Sequence, residues 1–182
     1  MKSLRITIFN LVVTSLLLAP LESTAQRISV EVGIYDYTDD VAREFYLLSP
    51  MIVAGYDYLI VNKLRFNVAA GLGYRQFNYH ENKHYLYTIP IFVSIFLDIN
   101  NGESKLYPSA GMGLSGMYKA DRTERLSSSH QSFTYGYHMS GILNYRLNNC
   151  KLFIEIRYNH LLPPAMDEIR LSGFMLMVGI RF

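Results

Sequence analysis

Five histidines, a single cysteine and one glycine-spaced run are the residues of this 182-residue chain best equipped to do chemistry. His80 and His84 flank Glu81 in the stretch NYHENKH, and imidazoles four apart could hold a metal ion if a helix placed them on one face. The stretch reads as a short hairpin loop, which offers no such face, so solvated loop residues and no metal site are expected. His130 falls in another polar loop, and His138 is expected inside the fold, hydrogen-bonded to a neighbour. Gly111 to Gly116 (GMGLSG) satisfies G-x-G-x-x-G. No strand–helix–strand unit surrounds it and no helix follows to present N–H groups to a phosphate, so its small residues are expected to relieve crowding and to bind no cofactor. Cys150 is the only cysteine, which excludes an intramolecular disulfide; it is expected as a turn residue, not as a reactive thiol. No catalytic, cofactor-binding or metal-ligating residue is assigned from these groups.

The elements that must carry these residues share one period, and it is two. The third segment, Leu64 to Phe77, is the clearest: Leu64, Phe66, Val68, Ala70, Leu72 and Tyr74 alternate with Arg65, Asn67, Ala69, Gly71, Gly73 and Arg75. Similar alternation marks 28–35, 51–61, 85–98, 105–119, 132–146, 151–160 and 171–182, giving eight strands without helical periodicity. Short turns are expected at Asn62-Lys63, Asn100 to Gly102 and Leu147 to Cys150. Longer polar connections are expected at Tyr37–Leu48, 78–84, Ala120–Gln131 and Leu161–Arg170. Long and short connections therefore alternate, the arrangement of an all-β, eight-stranded antiparallel up-and-down transmembrane β-barrel with its long loops at one end. The last strand must pair with Ile28–Tyr35 for such a barrel to have no edge.

Volume decides which face is outside. The interior of an eight-stranded barrel is just wide enough for side chains, and the Tyr, Phe, Ile, Leu and Met of eight apolar faces would overfill it. The apolar face is therefore expected to meet lipid. The other face carries Gly, Ser, Ala and Asn with charges of both signs: Glu31, Asp57 and Glu155 against Arg65, Arg75, Arg146, Arg157 and Arg181. Buried in a lumen, these must pair or meet water. Tyr58 and Tyr145 fall near short-turn ends and Tyr74, Tyr87, Tyr118, Tyr135 and Tyr158 near long-loop ends, two aromatic girdles built without tryptophan. Pro90 interrupts YLYTIPIFVSIFLD and removes a ladder donor, so a bulge or a broken ladder bond is expected there.

The first 25 residues have a different character. Lys2 and Arg5 precede an apolar stretch from Ile6 to Ala19, and Ser23-Thr24-Ala25 has a small-x-small cleavage pattern, so residues 1–25 read as a cleaved signal peptide and 26–182 as the barrel. A formal net charge of +2 gives no signature of nucleic-acid binding.

The stretches YTIPI (Tyr87 to Ile91), YPSAGMGLSG (Tyr107 to Gly116), FIEIRY (Phe153 to Tyr158) and GFMLMVGIRF (Gly173 to Phe182) together resemble the outer-membrane β-barrel domain proteins of the porin family, near the small OmpA/OmpX type. The resemblance implies outer-membrane lipids as surroundings, and recognition by the barrel-assembly machinery through the C-terminal strand ending in Phe182. It also implies an extracellular partner of unknown identity for the long loops. A second resemblance concerns one residue. RYNHLL places His160 as in the strand that carries the catalytic histidine of outer-membrane lipid A deacylases, but Leu162 stands where that family has its serine. A nucleophile would have to arrive from another strand.

The expected function is thus a non-enzymatic integral outer-membrane barrel with a structural, envelope or surface-interaction role. The alternatives are a narrow pore for small solutes, a lipid-modifying outer-membrane enzyme and a soluble lipocalin-like carrier.

Overall fold

A computed structural model describes residues 26–40, 42–43, 48–61, 63–79, 82–99, 104–123, 129–162 and 170–182. The expected signal peptide, residues 1–25, lies outside the described residues. Eight strands follow in order: β1 (Gln26–Tyr37), β2 (Ser49–Val61), β3 (Leu64–Tyr79), β4 (Asn82–Asp98), β5 (Leu106–Thr123), β6 (Ser129–Arg146), β7 (Lys151–Leu161) and β8 (Gly173–Arg181). Each pairs antiparallel with its neighbours in sequence, and β8 closes on β1, so the sheet is a closed up-and-down barrel. The closing ladder runs from Ser29↔Arg181 to Tyr37↔Gly173, as the edge-free requirement demands.

Alternation becomes inside and outside as expected. Along β8, Phe174, Leu176 and Val178 are exposed while Met175, Met177 and Arg181 are buried. The same division runs through β7, where Ile154 and Ile156 point out and Phe153, Glu155 and Arg157 point in. The outer belt of Ile, Leu, Val, Met and Tyr has no water-compatible partner and is a surface for hydrocarbon. The carrier alternative fails on the same geometry, because the interior holds charged and aromatic side chains where a carrier needs an apolar cavity.

One expectation about strand geometry is met and another is corrected. Of the bulge or broken ladder bond expected at Pro90, the structure has the broken ladder and no bulge. The β3–β4 ladder lacks the pairs at Gly71 and Leu72, between Ala70↔Ile91 and Gly73↔Thr88, but its register is the same on both sides of the gap. The β4–β5 ladder passes through Pro90↔Met117 unbroken, so the missing N–H is confined to one edge of β4. The bulge lies instead at Leu59–Val61 of β2, beside the turn into β3. The strands bordering the second and third long connections also run further than their hydrophobic pattern. β3 reaches Tyr79 and β4 starts at Asn82, while β5 reaches Thr123 and β6 starts at Ser129. Ala120 to Thr123 and Ser129 to Gln131, expected as loop, are therefore strand. Ladder hydrogen bonds do not need an apolar face once the chain has left hydrocarbon, which explains the difference.

The result is an uneven rim. A transmembrane strand needs about 9–11 residues; β7 and β8 have 11 and 9, whereas β5 and β6 have 18 each. The β2–β3 ladder ends at Met51↔Gly73 and the β6–β7 ladder at Gly136↔Leu161. Beyond those points, and beyond one further bond from Leu162 N–H to Tyr135 O at 2.9 Å, β3 to β6 stand as a four-stranded sheet whose two edges have no ladder partner among the described residues.

Candidate functional site

Two regions could carry a function, the lumen and the long-loop rim. In the lumen, inward positions of strands that are neighbours in register bring opposite charges together. Arg65 of β3 donates from Nη1 to Asp57 Oδ1 of β2 at 2.6 Å and from Nε to Asp98 Oδ1 of β4 at 3.0 Å. Arg181 of β8 approaches the other oxygen of Asp57 at 2.7 Å, off the line of a hydrogen bond, and donates to Asn144 Oδ1 at 3.2 Å. Asn144 donates to Ser109 Oγ, which donates to Asp98 Oδ1, each at 2.8 Å, so one connected network crosses the short-turn half of the barrel. Above it Arg157 donates to Glu155 at 2.7 Å, and its guanidinium lies 4.0 Å over the Phe92 ring. Phe96 and Phe153 sit in the same way under Arg65 and Arg181, at 4.9 Å and 4.6 Å.

Among the described residues the buried charge is balanced: Glu31, Asp57, Asp98 and Glu155 against Arg65, Lys119, Arg157 and Arg181. Six of the eight charges assigned to the lumen from sequence are therefore there. Arg75 is only half-buried, at the long-loop rim, and Arg146 is exposed at the short-turn rim, 5.7 Å over Tyr107, because strand ends leave the enclosed section. Asp98 and Lys119 were not anticipated. Asp98 closes an apolar run and reads as a strand end, while Lys119 falls where the alternation fades.

Glycine and histidine complete the packing. A Cβ on Gly111 would meet the Phe96 ring, and one on Gly113 would lie 2.9 Å from His138 Cε1, so these two positions of the GMGLSG run make room inside the barrel. Gly116 faces outward and makes room for Phe133. His138 is buried with Nε2 2.9 Å from Ser94 Oγ, the neighbour bond expected of it.

At the long-loop rim a cleft of about 460 Å³ is lined by Thr38, Asp39, Asp40, Tyr158, His160 and Ser172, among others. A serine, a histidine and carboxylates do meet here, the serine arriving from the segment before β8. Each already has a structural task. Ser172 Oγ accepts from Leu161 N–H at 2.9 Å and donates to Leu161 O at 3.2 Å. Asp39 accepts from Ala42 N–H at 3.0 Å, capping the short turn after β1. His160 lies on the outer face with its ring centroid 4.9 Å from that of Tyr137, and Leu162 is exposed.

His80 and Glu81 lie outside the described residues, His84 stacks on Phe77 at 5.0 Å, and His130 is described only as a β6 residue. Among the described residues no group of three or more His, Cys, Asp or Glu could hold a metal. Cys150 is a half-buried free thiol in the β6–β7 turn, where Leu147 N–H donates to its carbonyl at 2.9 Å.

No family model and no curated protein matches the sequence. Solved structures do match by shape. Neisserial surface protein A is similar at a TM-score of 0.63 and 18% identity, over 87% of this chain and 96% of that one. This is the fold of the small outer-membrane barrels. Ail, the attachment invasion locus protein of Yersinia pestis, solved with a heparin analogue, is similar at a TM-score of 0.58 and 14% identity, over 86% and 97% of the chains. The outer membrane enzyme PagL is similar at a TM-score of 0.50 and 8% identity, over 83% and 97%. At these identities the likeness carries the fold, and the same fold serves both a surface protein and an enzyme. Together with the outward apolar belt it makes the chain an outer-membrane barrel; the porin-family resemblance has no family model behind it.

Proposed function

We propose that this outer-membrane barrel is non-enzymatic and works through surface interaction, using the four-stranded sheet that β3 to β6 raise beyond the other strands. The observation that carries this is the uneven rim: strands of 16 to 18 residues beside strands of 9 and 11. Two sheet edges in water present rows of backbone donors and acceptors to an incoming segment. The surface-protein relatives in fold, Ail with its heparin analogue among them, favour the same role. A photo-crosslinking residue at Gln76 or Gln131, each exposed on an edge strand, should give discrete adducts on intact cells. A crosslinker at lipid-facing Leu152 should not. Smears or silence at both edge positions, in a barrel that still shows heat-modifiable migration, would sink the proposal. We also infer that the closing strand through Phe182 is what the barrel-assembly machinery reads.

A lipid-modifying enzyme is the second reading, favoured by the meeting of Ser172, His160 and Asp39 in one cleft and by the fold of PagL. The hydrogen bonds of Ser172 and Asp39 weigh against it. Release of acyl chains from lipid A by the purified barrel, abolished by His160→Ala and by Ser172→Ala, would establish it over the first.

A further inference from the structure

We infer that the long-loop mouth of the barrel binds a carboxylate, held by the ammonium of Lys119 and the hydroxyl of Ser132. Lysine is rarely buried without a partner, because taking its charge out of water is costly unless a counter-charge offsets it. Lys119 is nevertheless only 5% exposed. Among the described residues no carboxylate forms an ion pair with it, Asp121 two positions along the same strand included. The other buried acids are engaged or distant. Asp57 and Asp98 hold Arg65, Asp57 also meets Arg181, and Glu155 accepts from Arg157. Glu31 lies on β1, four strands away in a closed barrel of eight and so on the opposite wall.

Register supplies the second donor. Gly73, Thr88, Lys119 and Ser132 form one inward row across β3 to β6, each paired with the next. Cross-strand neighbours in such a row have Cβ atoms about 4.5–5.5 Å apart, so Lys119 and Ser132 reach the same small group. Ser132 Oγ is buried and has no hydrogen-bond partner. Thr88 Oγ1 turns the other way, to where a Cβ on Gly73 would collide with it.

The rows on either side give the site a floor and an opening. The row below is Gly71, Pro90, Met117 and Thr134; Thr134 donates to Met117 O at 3.4 Å, and Met117 packs in one buried apolar cluster with Tyr35, Tyr37, Leu86 and Leu161. That floor has no charge to offer the ammonium. In the row above, Arg75 and Asp121 are half-buried, so the shelf opens towards the long-loop end. Arg75 lines a separate cleft with Asp36, Arg43 and Leu48.

Charge decides the class of ligand. One ammonium matches one negative charge, and Asp121 in the row above repels a dianion such as phosphate. A carboxylate places one oxygen on Lys119 Nζ and accepts from Ser132 Oγ with the other. The shelf lies on the inward face of the raised sheet, so the inference stands whether or not the sheet edges take a partner.

The test is urea unfolding of the full barrel in detergent micelles, with sodium acetate as the probe against sodium chloride of equal ionic strength and against acetamide. About 100 mM acetate should favour the folded wild type by about tenfold in equilibrium constant, the response of a site half-filled near 10 mM. Acetamide should have no effect. In chloride Lys119→Met should be at least as stable as wild type, since it removes an unpaired buried charge, and acetate should not stabilise it further. Ser132→Ala, which deletes a hydroxyl without a partner, should match wild type in chloride and respond to acetate severalfold less. An equal acetate response in wild type and Lys119→Met, an equal effect of acetamide, or a Lys119→Met barrel less stable than wild type in chloride would overturn the inference.

Discussion

Arg157 lies with its guanidinium carbon 4.0 Å over the centre of the Phe92 ring, a cation seated on an aromatic face in the interior of a membrane barrel. The same guanidinium donates to Glu155 at 2.7 Å, and both charged side chains are about 98% buried. Removing one partner strands the other charge, so Arg157→Ala should cost about 3–5 kcal/mol. The double replacement Glu155→Leu with Arg157→Met should come close to neutral. Urea unfolding in detergent micelles measures both. A single variant as stable as wild type would mean that water already reaches Glu155.

The three Arg–aromatic stacks also bear on the pore alternative. Arg157 on Phe92 lies above Arg65 on Phe96 and Arg181 on Phe153, and the two lower arginines are tied together by Asp57 and through Asn144, Ser109 and Asp98. A lumen filled in this way should be silent in planar bilayers. The triple variant Phe92→Ala, Glu155→Ala and Arg157→Ala should still be silent, because the lower network is untouched. Adding Arg65→Ala and Asp57→Ala should open steady single-channel steps. Steady current through the wild-type barrel would restore the pore reading.

Much of this was legible in the sequence, and what was not has a physical reason. The alternation in Leu64 to Phe77 needs no partner to be read, because hydrocarbon outside and a filled lumen inside impose it residue by residue. The same logic put Arg181 in the lumen and Gly173–Arg181 against β1. It failed at Ala120 to Thr123, where water replaces hydrocarbon and the pattern no longer has to alternate although the ladder continues. Asp98 escaped notice because its partners, Arg65 and Ser109, come from two other strands and only register shows them beside it. The rim cleft is similar: Ser172 and His160 lie 12 positions apart, and the ladder Asn159↔Gly173 is what sets them side by side.

Pro90 and Gly71 should behave as a pair. A Cβ at Gly71 would stand 2.8 Å from Ile52 O and 3.1 Å from Pro90 Cγ, so the proline ring occupies space that glycine leaves. Gly71→Val should destabilise by about 1–3 kcal/mol through overpacking. Pro90→Ala should relieve part of that cost, and a double-mutant cycle on unfolding in micelles should show coupling above ~0.5 kcal/mol. Strict additivity would show that Ile52 and Val53, and not Pro90, hold Gly71 small.

Ser172 separates a structural from a catalytic rim. Its hydroxyl bridges the N–H and the carbonyl of Leu161, tying the approach to β8 onto the end of β7 where the β7–β8 ladder has already stopped at Asn159↔Gly173. Ser172→Ala should therefore cost about 1 kcal/mol of stability, the usual net value of such bonds, and amide exchange at Leu161 should quicken. His160→Ala should do neither, since the contact it gives up among the described residues is with the ring of Tyr137. If both variants are as stable as wild type and each removes an acyl-release activity, the two side chains act together on a lipid, and the cleft is an active site.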